Sequence, residues 1–84
     1  MYSIIIVEDE AEQREVLNIM IHSINEDICI YEANSEMDAL QILQKNEINI
    51  FLIDIFLKES SGLVLAKKIR SIPKYEFSQI ILWC

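Results

Sequence analysis

Glycine and proline are almost missing from this 84-residue chain, at one residue each. A single glycine cannot build a glycine-rich phosphate loop, so P-loop and dinucleotide-binding readings fall away. Two cysteines, Cys29 and Cys84, are too few for a disulfide framework or a four-ligand zinc site. The one histidine, His22, lies in a helical pattern and reads as a surface or half-buried side chain. Positive charge is scarce too: seven Lys and Arg stand against 14 Asp and Glu, a formal net charge of −7. That balance argues against this segment gripping a nucleic-acid backbone. No apolar run approaches the roughly 18 residues that a membrane span needs, and Met1-Tyr2-Ser3 lacks the charged start of a signal peptide. The expectation is a cytoplasmic protein with no membrane contact.

What is present is apolar material, 52% of residues, enough for the core of one small domain over residues 1–84. Two runs stand out, Ile4-Ile5-Ile6-Val7 and Ile50-Phe51-Leu52-Ile53. Each is uninterrupted by polar residues and mostly β-branched, as expected of strands buried on both faces of a parallel sheet. Glu8 and Asp9 follow the first run and Asp54 follows the second. Neighbouring parallel strands would bring these three carboxylates together at their C-terminal ends, where open α/β sheets bind ligands. Clustered carboxylates repel one another, and a hard cation such as Mg²⁺ relieves the repulsion. The plainer alternative is three separate surface acids, which are common in so acidic a chain.

Strand and helix signals alternate regularly. The spacing predicts a strand over 3–7 and an amphipathic helix over 10–24, with Val16, Leu17, Met20, Ile21 and Ile24 on its inner stripe. A second strand follows over 28–32, where Cys29 reads as a buried thiol. Ser35-x-x-Asp38 is a capping-box signature that opens a helix to about Lys45, with Met37, Leu40, Ile42 and Leu43 apolar. A third strand spans 48–53. Ser60 or Ser61 caps a third helix, lined by Leu63, Leu65, Ala66 and Ile69, that ends near Ser71 before Pro73. A fourth strand covers 79–83. The order βαβαβαβ with right-handed crossovers gives an α/β, doubly wound parallel sheet. Trp83, Phe51 and Phe77 read as core or edge packing.

These residues resemble a known family, the receiver domains of two-component response regulators. The likeness rests on Ile5-Ile-Val-Glu-Asp-Glu10, Phe51-Leu-Ile-Asp54 and Ser61-Gly-Leu63, with Gly62 eight residues after Asp54. It implies a flavodoxin-like fold with strand order 2-1-3-4, and a signalling module rather than an enzyme. It also implies that Asp54 accepts a phosphoryl group from a sensor histidine kinase. Glu8, Asp9, Asp54 and the backbone carbonyl of Phe56 would then hold Mg²⁺, Glu8 directly or through water. The loop from Asp54 to Gly62 is similar to that of regulators with a LytTR-type DNA-binding output. A haloacid-dehalogenase-type enzyme, which also uses a strand-end Asp, would need a second Asp where this chain has Phe56.

Two departures from the family pattern carry expectations of their own. The hydroxyl residue that usually ends the fourth strand is replaced by Cys84, at the switch position, and a thiol is a weak donor. Family members also run to roughly 120 residues, with a fifth strand bearing a phosphate-contacting Lys. None of the lysines here ends such a strand, so the chain reads as a C-terminally truncated receiver, its N-terminal two-thirds. The fourth strand would then be a bare apolar edge, and the expectation is a homodimer through it, or poor solubility. An alternative reading is a phosphorylation-incompetent fragment that serves only dimerisation or partner binding. In strand order 2-1-3-4, Cys29 and Cys84 lie about 14 Å apart at ~4.8 Å per strand, too far for a disulfide.

Overall fold

The computed structural model describes residues 2–84. Four parallel strands form one sheet: β1 (Ser3–Val7), β2 (Cys29–Ala33), β3 (Ile50–Asp54) and β4 (Gln79–Trp83), in the order β2-β1-β3-β4. Three helices connect them, α1 (Ala11–Ile24), α2 (Glu36–Lys45) and α3 (Gly62–Arg70), with a one-turn 3-10 helix at Pro73–Tyr75 before β4. No helix among the described residues is long and apolar enough to cross a membrane.

β1 lies between β2 and β3, in register Ile5 to Tyr31 and Ile5 to Phe51, and all five of its residues are buried. This is why its sequence shows no polar alternation. Successive strand side chains point to opposite faces. Ile5 and Val7, with Phe51 and Ile53, join Ala39 of α2 and Leu65 and Ile69 of α3 in the main core. Ile4 and Ile6 serve the other face, against which α1 packs over β1.

The ends of the elements follow local chemistry. Ser35 accepts a hydrogen bond from the Asp38 N–H at 3.1 Å, while the Asp38 carboxylate reaches back to the Asn34 N–H at 3.1 Å. The expected capping box is therefore displaced by one residue on its return arm. Ser61, not Ser60, caps α3 by accepting from the Leu63 N–H. β3 begins at Ile50 rather than 48, because the Ile48 N–H is taken by the Tyr75 hydroxyl at 3.2 Å. Tyr75 also packs edge-on against Phe51, ring centroids 5.0 Å apart.

Several sequence expectations are corrected. α1 has no fully buried residue: Val16, Met20 and Ile24 are exposed, Ile24 at 84%, and only Leu17 and Ile21 of the expected stripe are half-buried. The helix rests on β1 along a narrow line, so a wide apolar stripe is covered only in part. Phe77 is 92% exposed because it sits in the turn before β4 and not in the strand. Met37 and Leu63 also face outward, and Cys29 is half-buried because β2 is an edge strand.

Candidate metal and phosphoacceptor site

The C-terminal ends of β1 and β3 are neighbours in the sheet, with Val7 opposite Ile53. Glu8, Asp9 and Asp54 therefore emerge side by side. Each offers one carboxylate oxygen, and those oxygens lie within 4.8 Å of one another. Glu8 is 2% exposed and Asp54 9%. Together with Glu10, Phe56, Lys58, Trp83 and Cys84 they line an open cleft of about 510 Å³.

Backbone contacts fix this geometry. The Glu8 N–H donates to the Ala33 carbonyl at 3.0 Å, and Arg14 donates to the Glu8 carbonyl at 2.7 Å, so the turn after β1 is tied to both β2 and α1. Arg14 also pairs with Glu32 of β2 at 3.0 Å. A Glu8 carboxylate oxygen accepts from the Glu10 N–H at 3.1 Å. Asp54 Oδ1 accepts from the Phe56 N–H at 3.0 Å. Beyond it, the Ile55 N–H bonds the Trp83 carbonyl at 2.8 Å, and the Gly62 N–H bonds the Ile55 carbonyl at 2.8 Å. The β3–α3 loop is thereby pinned at both ends.

Gly62 opens α3 directly against Asp54. A Cβ built on it would lie 2.1 Å from the Asp54 carbonyl oxygen and 2.8 Å from its carbonyl carbon. Only a residue without a side chain permits this approach.

Burial pushes the Glu8 carboxyl up to about 7. Asp9 and Asp54 add to the rise, and the Glu10 N–H opposes it. A buried acid held this far from its ordinary value is a common mark of a functional site. The grouped donors are all carboxylate oxygens, a hard set that suits Mg²⁺ or a similar cation. Positive charge among the carboxylates would favour ionised Glu8, so the residues present fit the cation that the sequence implies.

The structure brings together all the singled-out site residues. Cys84 is exposed at the rim of the cleft, and Phe56, 72% exposed as a residue, lies beside Asp54. Four residues lining the cleft were not singled out as site residues in the sequence: Glu10, Gln13, Lys58 and Trp83. Trp83 is in register with Asp54, and its buried Nε1 has no hydrogen-bond partner among the described residues. Parity along β4 could have pointed to Trp83; Lys58 depends on the path of an irregular loop.

Comparison with known proteins defines the class. The chain belongs to the response regulator receiver domain family, whose pattern matches residues 4–82. It is 32% identical over 72 residues to the regulatory protein VanR of Enterococcus faecium, covering 86% of this chain and 30% of VanR. It is also 32% identical over 81 residues to the sensory transduction protein LytT of Bacillus anthracis, covering 93% of this chain and 33% of LytT. The chain thus spans about a third of the length of these two relatives. Among solved structures, the response regulator TrrA of Thermotoga maritima, in complex with Mg²⁺-BeF, matches with a TM-score of 0.85 at 30% identity. That match covers 98% of this chain and 68% of TrrA.

Proposed function

We propose that this receiver domain accepts a phosphoryl group on Asp54 from a phosphohistidine of a sensor histidine kinase, with Mg²⁺ held by Glu8, Asp9, Asp54 and the Phe56 carbonyl. The observation that carries this reading is the convergence of three carboxylate oxygens within 4.8 Å at the ends of two adjacent strands. The likeness to TrrA, whose structure contains Mg²⁺-BeF, supports the metal and the phosphoryl position alike.

In the transfer, a carboxylate oxygen of Asp54 attacks phosphorus and forms the O–P bond of an acyl phosphate. The P–N bond of the donor breaks in line, and its electron pair returns to the imidazole, which takes up a proton. Bound Mg²⁺ supplies neutralisation of charge on the phosphoryl oxygens. The Phe56 N–H holds the Asp54 carboxylate through Oδ1 at the wall of the cleft. Positioning of this kind supplies much of the rate in phosphoryl transfer.

Intact-mass analysis after incubation with Mg²⁺ and acetyl phosphate tests the proposal. The expected result is one phosphoryl adduct on the wild type and none on Asp54→Asn. An unmodified wild type would favour a module that only binds partners.

A further inference from the structure

The geometry points to Arg14 as a positioning residue of the metal site, an assignment that rests on the Mg²⁺ reading above. Three carboxylates with oxygens within 4.8 Å repel one another, so the short segment Glu8-Asp9 after β1 is pushed outward in the free protein. Unless something holds that segment beforehand, part of the binding energy of a cation is spent on closing the site. Glu8, the most buried of the three acids, is held on both sides of its Cα. Its N–H donates to the Ala33 carbonyl at 3.0 Å, and its carbonyl accepts from Arg14 Nη1 at 2.7 Å. Of these two bonds, the one from Arg14 comes from a side chain and can be altered without touching the sheet.

Arg14 is itself braced for this task. Its N–H bonds the Glu10 carbonyl at 3.0 Å as the first turn of α1 closes, and its Nε donates to Glu32 Oε1 of β2 at 3.0 Å. The other Glu32 oxygen accepts from Asn18 Nδ2 at 2.8 Å, so the anchor of the guanidinium is fixed by the next turn of the helix. A planar fork delivers both side-chain bonds in fixed directions at once, which a single lysine ammonium cannot reproduce. Arg14 is not among the described residues that line the cleft. Its effect on a bound cation is therefore exerted through the Glu8 backbone and not by contact. Groups that orient metal ligands in this indirect way commonly control affinity by roughly 10–100-fold.

The sign of the effect separates this role from that of a simple charge. Arg14 is a cation near a cation site, so loss of its charge alone should tighten Mg²⁺ binding, whereas loss of its bond to Glu8 should weaken it. Wild type, Arg14→Met, Arg14→Lys and Lys68→Met are titrated with Mg²⁺, read by the fluorescence of Trp83, the single tryptophan and a residue of the cleft. Lys68→Met removes an equal charge and breaks the pair with Glu36 that joins α3 to α2. The expectation is Mg²⁺ affinity lowered about tenfold in Arg14→Met, lowered by a smaller factor in Arg14→Lys, and not lowered in Lys68→Met. Arg14→Lys keeps the charge and most of the stem, so it carries the same test if Arg14→Met does not fold. Amide exchange in EDTA adds a readout without metal. The Glu10 N–H, bonded to the Glu8 carboxylate, should exchange faster in the Arg14 variants, while the Ile48 N–H, bonded to Tyr75, keeps its rate. Unchanged or tighter Mg²⁺ binding in both Arg14 variants overturns the assignment. So does faster exchange at Glu10 and Ile48 alike, which marks a general loss of stability. A wild type whose fluorescence and amide spectrum do not respond to Mg²⁺ overturns the metal reading itself and this inference with it.

Discussion

Gly62 and Asp54 touch backbone to backbone, and that contact decides how much variation the site tolerates. A methyl group at Gly62 would have to displace the Asp54 carbonyl, since no flexible side chain is there to yield. Gly62→Ala is expected to cost about 1–3 kcal/mol, the range for overpacking a tight site. In a domain of this size that lowers the melting temperature by roughly 4–8 °C per kcal/mol. Mg²⁺ affinity should fall as well, because Asp54 moves; a variant that melts and binds like the wild type would show that the approach is no constraint. Glu8 carries a pH dependence of definite sign. Its carboxyl titrates near 4.5 when unfolded and near 7 when folded, so below about 4.5 it is protonated in both states. Between those values the folded form holds a proton that the unfolded form lacks, and stability falls as pH rises through the window. Denaturation midpoints in EDTA should show that slope, and Glu8→Gln should flatten it. Mg²⁺ needs the ionised carboxylate, so its affinity should grow as pH rises through about 7. The three acids were legible from sequence because each ends an apolar run. Lys58 was not, because a residue in an irregular loop announces neither its path nor its neighbours.

Elements were most legible where one chemical cause fixes both identity and end. β1 is buried on both faces and bounded by acids, and it falls on the expected residues 3–7. β4 likewise runs from Gln79 to Trp83 as the pattern implies. β2 starts one residue late, at Cys29, whose N–H bonds the Tyr2 carbonyl. Its start is set by pairing with β1, a tertiary fact that no local pattern contains. The 3-10 turn at 73–75 was missed for a related reason. Pro73 reads as a stop to α3, whereas here Arg70 gathers the carbonyls of Tyr75, Glu76 and Ser78 and holds the following turn against the helix end. α1 shows the limit of periodicity most plainly. An apolar stripe tells that a helix has a face, but not how much of that face a neighbour covers, and Val16, Met20 and Ile24 remain in solvent.

At the scale of the whole molecule, the two edges of the sheet differ in kind. β2 carries Glu32, which Arg14 and Asn18 engage from α1, so that edge is guarded by charge and by side chains. β4 pairs with β3 on one side, has no described strand on the other, and contains no charged residue. Ile81 and Leu82 are exposed along it. Over the described residues this edge is apolar and uncharged, the kind that pairs readily with a further strand, and in the 84-residue polypeptide a second copy is the strand tested below. Two copies of the 84-residue polypeptide that paired through β4 about a twofold axis would meet antiparallel and close as a dimer. For the 84-residue polypeptide, the expected outcome of sedimentation velocity is a dimer whose population rises with protein concentration. Ile81→Lys places a charge on the edge without entering the main core, and is expected to return the protein to monomer. Met37→Lys puts the same charge on the outer side of α2, where the side chain is exposed, and should leave association unchanged. If Ile81→Lys still dimerises as the wild type does, the contact lies elsewhere, and the exposed flank of α1 becomes the next surface to alter. If both lysine variants dissociate alike, added charge alone governs association, and β4 has no special part in it.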